Sequence, residues 1–280
     1  MKNVKIVTDS SVTIEPRLLE ELDITVVPLS VMIDGIIYSD DQLSGEEFMN
    51  LMENSETMPK TSQPPIGLFV DKYEELASDG SEILSIHITH ILSGTAEAAR
   101  QASNLAKAEV TVIDSGFIDQ SLAFEVIKAA QMAKEGKSMN EIVAEVNRVK
   151  ENSRLFIGIS SLDNLVKGGR IGRATGLISN ILNIKAVMEL TINEGLISVA
   201  KGRGTKTFSK WFTELKDQLL KTPNIRAIGI SHADGLEIAE KFRKELQNLF
   251  PDMSIPVLHT GSVVATHTGK GAFAIMYYTD

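Results

Sequence analysis

The stretch Glu82-Ile83-Leu84-Ser85-Ile86-His87-Ile88, followed after three residues by Leu92-Ser93-Gly94-Thr95, decides the fold. The first part is an apolar run of strand length, and Ala96-Glu97-Ala98-Ala99-Arg100-Gln101-Ala102 beyond it reads as a helix. Two hydroxyls and a glycine thus join a strand to a helix N-terminus, where free backbone N–H groups, the positive end of the helix dipole and two O–H donors converge. Such a joint is a small anion site. Equally, Ser93 or Thr95 caps the helix and Gly94 eases the turn.

Outward from this joint the same rhythm repeats. Val4-Lys5-Ile6-Val7-Thr8-Asp9-Ser10-Ser11 is a strand ending in polar residues, with a helix expected over 15–21. A second strand is expected over 24–33, closed by the turn signal Asp34-Gly35. Ser44 with Glu47 three residues on makes a capping box for a helix around 46–53. The prolines of Met58-Pro59-Lys60-Thr61-Ser62-Gln63-Pro64-Pro65 argue for an ordered loop without regular structure. A helix over 69–77, the strand over 83–88, the Ser93 helix and a strand over 110–113 ending in Asp114-Ser115 complete the alternation. It predicts an α/β fold with a parallel sheet covered on both faces, its polar strand tips sharing one edge where ligands bind.

Helices over 122–134 and 139–151 lead into a different texture. Strands are expected over 155–159, 186–192, 196–201, 226–231, 256–259 and 273–278, with a hairpin at Asn193-Glu194-Gly195 and helices over 206–220 and 236–249. This half reads as α+β around a mixed sheet. The boundary falls near Ser153, dividing the chain into domains 1–153 and 154–280.

Composition narrows the partners. At 280 residues and 43% hydrophobic content the chain supports two modest domains with real cores. It has no cysteine, so disulfides and thiolate chemistry are excluded. The first strand leaves no room for a signal peptide, and no apolar run is long enough to span a bilayer, so a soluble cytosolic protein without stable membrane insertion is expected. A net charge of −9 argues against nucleic acid. Local basic density exists at 167–173 and 201–210, which makes the second half electrostatically different from the first.

Three segments carry candidate chemistry. Thr61 and Ser62 add hydroxyls that, if they meet the Ser93 tip, suit a carboxylate better than a polyphosphate; alternatively they satisfy their own loop. Gly168-Gly169-Arg170-Ile171-Gly172-Arg173 exposes two arginines among glycines, fitting an anion, an acidic partner or a plain surface turn. It has neither the lysine nor the spacing of a P-loop, and G-x-G-x-x-G is absent, so a nucleotide site is poorly supported. Ala265-Thr266-His267-Thr268-Gly269-Lys270-Gly271 places His267 between hydroxyls in an expected flexible loop. His87, His90, His232 and His259 lie along or beside strands, and no helix carries a zinc-type histidine pair. Two mechanisms remain open on these parts. Ser93, His267 and a carboxylate such as Asp9 form a hydrolytic triad, although the G-x-S-x-G elbow is missing; or the hydroxyls and His267 only hold a carboxylate.

Val7-Thr8-Asp9-Ser10-Ser11, Lys60-Thr61-Ser62-Gln63-Pro64, Leu92-Ser93-Gly94-Thr95, Gly168-Gly169-Arg170-Ile171, Asn183-Ile184-Lys185 and the run from Thr266-His267 to Gly271 together resemble the DegV family, in the family's order along the whole chain. The resemblance implies a Rossmann-like three-layer N-terminal domain, a smaller mixed-sheet C-terminal domain and one long-chain fatty acid between them. It also implies a role as the fatty-acid-binding subunit of bacterial fatty acid kinase, with no cofactor of its own and an ATP-bearing partner that makes the acyl phosphate. Thr61, Ser93 and His267 would hold the carboxylate, with Ser62, Gly94 and Thr95 beside them. Arg170 and Arg173 would face the partner or an anion. Leu165, Ile184, Met188, Phe273 and Ile275 are the acyl-channel expectations from their strand or loop position. His90-Ile91, Pro65 and Lys270 depart from the family pattern without removing a carboxylate donor.

Overall fold

The computed structural model describes residues 2–175 and 184–280. The chain begins β1 (Val4–Asp9), α1 (Pro16–Glu21), β2 (Ile24–Val27), β3 (Ser30–Ile33), β4 (Ile36–Ser39), α2 (Gly45–Asn54), β5 (Lys60–Ser62) and α3 (Ile66–Leu76). It continues with β6 (Glu82–His87), α4 (Thr95–Leu105), β7 (Val110–Asp114), α5 (Asp119–Lys134) and α6 (Met139–Glu151). Then follow β8 (Ser153–Ile159), α7 (Asp163–Lys167), β9 (Ala174–Thr175), β10 (Lys185–Thr191), β11 (Gly195–Gly202) and α8 (Lys206–Leu219). The last elements are β12 (Ile225–Ala233), α9 (Leu236–Leu249), β13 (Val257–His259), α10 (Ser262–Thr268) and β14 (Ala272–Thr279).

The first half builds the expected parallel sheet, in the order β2-β1-β6-β7. Ile6 stands beside Ile24 and Leu84, and His87 beside Asp114, so the polar tips at Asp9, His87 and Asp114 do share one edge. The expected strand over 24–33 is divided. Pro28 has no N–H for a ladder, β2 stops at Val27, and β3 turns away into a second sheet, β4-β3-β5. The expected loop around Thr61 also differs: between Pro59 and Pro64, Lys60–Ser62 are free to pair, and Val31 lies opposite both Thr61 and Tyr38. The capping box ahead of α2 is formed, with Ser44 N–H and Oγ both donating to Glu47 Oε2, at 2.9 and 2.7 Å.

The second half makes a seven-stranded mixed sheet, β13-β12-β14-β8-β10-β11-β9. Side-chain alternation along a strand sends its two faces into different cores. Phe156, Ile228, Phe273, Ile275 and Tyr277 pack under α8 and α9, while Leu155, Ile157, Ile159, Met188 and Ala274 turn the other way. In α8 the buried set Phe208, Trp211, Phe212, Leu215 and Leu219 follows the helical repeat.

Helix α5 joins the halves. Leu122 and Val126 belong to the core under the parallel sheet, and Phe124 to the core against the mixed sheet. Gln120 Nε2 donates to Ile230 O at 2.7 Å. Buried on both sides, α5 also encloses Glu125, fully buried and with neither carboxyl oxygen hydrogen-bonded. Burial pushes its pKa well above the ordinary carboxyl value, with Lys150 opposing the shift. A raised native pKa contributes stability that is fully present below the unfolded pKa and lost as pH rises through the native one. Glu125→Gln should therefore gain on the natural chain between pH 5 and pH 8 in urea denaturation. An equal difference at both pH values would contradict this.

Candidate functional site

At the joint between the sheets lies a cavity of about 340 Å³. Ile88, Ile118, Ile157, Ile159, Leu196 and Val264 give it apolar walls. The polar residues meet through a chain of contacts. Thr61 Oγ1 is 3.0 Å from His267 Nε2. A Cβ on Gly168 would stand 2.3 Å from His267 Nδ1, so glycine there lets the imidazole lie on the backbone. Arg170, two residues on, donates from Nη1 to Gly168 O at 2.7 Å and from Nε to Leu92 O at 3.3 Å, reaching the Ser93 loop. A Cβ on Gly94 would lie 2.2 Å from Gln63 Oε1, which closes the ring back to the strand of Thr61.

Ser93 lines the cavity and also serves the helix. Its Oγ accepts from Thr95 N at 3.3 Å and lies 2.9 Å from Thr95 Oγ1. Thr95 is fully buried and sits behind Ser93, orienting its hydroxyl. The serine thus bonds the start of α4 while it borders the cavity.

His267 stands in the last turn of α10, where a flexible loop was expected. The run Ser262-Val263-Val264-Ala265-Thr266-His267-Thr268 is rich in β-branched residues, which conceals a short helix. Its flanking threonines serve that helix: Thr266 Oγ1 donates to Ser262 O at 2.8 Å and Thr268 Oγ1 to Val264 O at 3.1 Å. Burial, and secondarily the Arg170 cation, hold His267 down to about 4, so the ring is neutral at pH 7. Its Nδ1 is buried without a hydrogen-bond partner.

Thr61, Ser62, Ser93, Gly94 and His267 thus border one cavity, and Leu165 lies in its wall. Arg170 borders it too, folded inward and half-buried. Arg173 ends a 3₁₀ turn, Ile171–Arg173, and its side chain lies outside the described residues, as does Asn183. Strand parity separates the remaining channel expectations. Ile275 points into the core under α8 and α9, and Met188 packs in the core beside the cavity, as does the half-buried Ile184. Phe273 reaches only a recess of about 20 Å³ that adjoins the cavity across Ile118, Ile157, Val264 and Thr268. The period-2 pattern of β8 carries the signal for Ile157 and Ile159; Val263 and Val264 carry none, because a short β-branched run does not read as a helix.

The triad geometry is not assembled. Asp9 is fully buried and accepts from Ser11 N, Ser11 Oγ and Ile88 N, with His87 Nδ1 3.0 Å away. His87 Nε2 in turn is 2.6 Å from Ser85 Oγ, which lies 2.8 Å from the Tyr73 hydroxyl. This serine–histidine–aspartate chain is wholly buried and ends on a tyrosine, shut off from solvent. His267 bonds Thr61 instead of Ser93. Among the described residues no group of His, Asp or Glu could hold a metal ion, and no helix is long and apolar enough to cross a membrane.

A parallel sheet joined through one buried helix to a mixed sheet, with an apolar cavity bordered by hydroxyls and an imidazole, defines an α/β protein with an internal cavity. The chain belongs to the DegV family ("Uncharacterised protein, DegV family"), which it matches over residues 3–280. A DegV domain-containing protein of Streptococcus pneumoniae serotype 4 is 52% identical over 277 residues, spanning 99% of this chain and 98% of that protein. DegV of Bacillus subtilis, described as a fatty acid binding protein, superposes with a TM-score of 0.92 at 29% identity, over 100% of both chains. A DegV family protein of Thermus thermophilus, reported for its fatty acid binding, superposes at 0.90 with 27% identity, over 99% of this chain and 100% of that one.

Proposed function

We propose that this chain carries one long-chain fatty acid between its halves, domains 1–153 and 154–280, with the carboxylate on Ser93, Thr61 and His267. The observation that carries the reading is the meeting of an apolar cavity with the hydroxyls of Thr61 and Ser93, the neutral buried imidazole of His267 and, at its border, the Arg170 cation, which also favours an anion there. A cavity of about 340 Å³ is within the range of small-molecule pockets. Apolar walls suit an acyl tail, and a buried carboxylate needs several donors because leaving it unpaired costs several kcal/mol. The fatty acid binding reported for the Bacillus subtilis and Thermus thermophilus proteins supports the same ligand class. The test is a binding titration of the delipidated chain with palmitate: saturation at one per chain is expected, and no binding by a folded sample would refute the proposal.

In the finer form of this reading the protein is the fatty-acid-binding subunit of a bacterial fatty acid kinase. It does no chemistry alone; an ATP-bearing partner transfers the γ-phosphoryl group to a carboxylate oxygen, forming the O–P bond of an acyl phosphate and releasing ADP. Arg173, in the same glycine-rich segment as Gly168, which packs on His267, is assigned to the partner. Arg173→Ala should keep its lipid and lose acyl-phosphate formation with the kinase. A variant that loses lipid yet supports the kinase with what remains would show the arginine to be misassigned.

A further inference from the structure

Asp40 does not border the cavity, yet three of its walls are fastened to it. It opens the 3₁₀ turn Asp40–Gln42 after β4 and is only 5% exposed. Its N–H donates to Leu29 O at 2.9 Å. Its Oδ1 accepts from Ser262 Oγ and from Val263 N, the latter at 3.2 Å, at the first turn of α10. Ser10, at the tip of β1, accepts from Leu29 N at 3.0 Å and shares its hydroxyl with Asp40. The approach is close: a Cβ on Gly261 would stand 3.3 Å from Ser10 O and 3.4 Å from Asp40 Oδ2. Among the described residues no salt bridge neutralises this carboxylate.

Leu29, Val263, Val264 and His267 all border the cavity. Helix α10 has seven residues, too few for a helix to hold itself in water. It is tied to the three-stranded sheet at both ends, by Asp40 at the start and by His267 on Thr61 at the finish. His267 lies five residues beyond the capped serine, and successive helical residues are rotated by about 100°. A slip of one residue at the start would swing the imidazole out of the cavity.

We infer that Asp40 is a positioning residue for the carboxylate site: by fixing the start of α10 it sets the height and rotation of His267 against Thr61 and Gly168. This rests on the carboxylate reading given above. Asp40 touches no ligand, so its loss should act on carboxylate recognition far more than on tail binding.

The test compares palmitate with hexadecanol, which has the same chain and no carboxylate, on the delipidated full-length protein. Asp40→Ala should weaken palmitate about tenfold, as expected for a lost helix cap, while hexadecanol changes by at most about threefold. The His267 ring, followed by NMR, should titrate above its native value of about 4 as it loses its sheltered position. Asp40→Asn keeps the acceptor and should restore the preference for palmitate. Should Asp40→Ala not fold, Ser262→Ala removes one donor of the same contact and should show the same selective loss, smaller in size. In Asp40→Ala or Ser262→Ala, a palmitate-to-hexadecanol ratio equal to that of the natural chain, whether from no loss or from an equal loss for both ligands, overturns the inference. No preference for palmitate in the natural chain would instead overturn the carboxylate reading, and this inference with it.

Discussion

Replacing His267 with alanine is expected to weaken fatty acid binding by roughly ten- to a hundredfold, the worth of one hydrogen bond to a charged group at about 1.5–3 kcal/mol. The loss of the imidazole leaves the carboxylate on Ser93 and Thr61, with Arg170 at the border of the cavity. The corresponding alcohol should lose much less. The ring also predicts a pH effect in the empty protein. His267 is held down to about 4 in the native state against an unfolded value near 6.5. A lowered native pKa contributes stability that is present above the unfolded pKa and lost as pH falls toward the native one. His267→Ala should flatten that loss between about pH 6.5 and 4, leaving the part due to His232, which is also held down to about 4 by burial. Unchanged palmitate affinity in His267→Ala would remove the imidazole from the site.

Shortening the ligand should have the largest effect. Each methylene withdrawn from water contributes roughly 0.8 kcal/mol, or about fourfold in affinity. From an eighteen-carbon to a twelve-carbon saturated acid the affinity should fall by roughly three orders of magnitude, because the walls of Ile118, Ile157, Ile159 and Val264 lose their contacts one methylene at a time. Competition binding across the series measures the slope. A flat series would mean that the tail does not enter the cavity.

The β/α alternation and the Ser93 joint were legible because strands and caps leave local patterns. Helix α9 runs over the expected residues, and the parallel strands bring Asp9, His87 and Asp114 to one edge. Other features depend on distant partners. The run over 24–33 is mostly apolar on both sides of Pro28, and the absent N–H of that proline marks where one sheet ends and another begins. β14 is apolar on both faces, so nothing local says which parity turns toward the cavity, and Ile275 packs away from it once α8 and α9 claim one face. His267 stands in a helix whose first turn bonds Asp40, more than two hundred residues away in the chain. Arg170 turns inward because the carbonyls of Gly168 and Leu92 accept it, which glycine content alone does not reveal.

The most direct measurement is mass spectrometry of a denaturing solvent extract of the purified protein. The account predicts one long-chain fatty acid per chain, released only on unfolding. A folded preparation that yields no fatty acid and takes up none when it is added would contradict it.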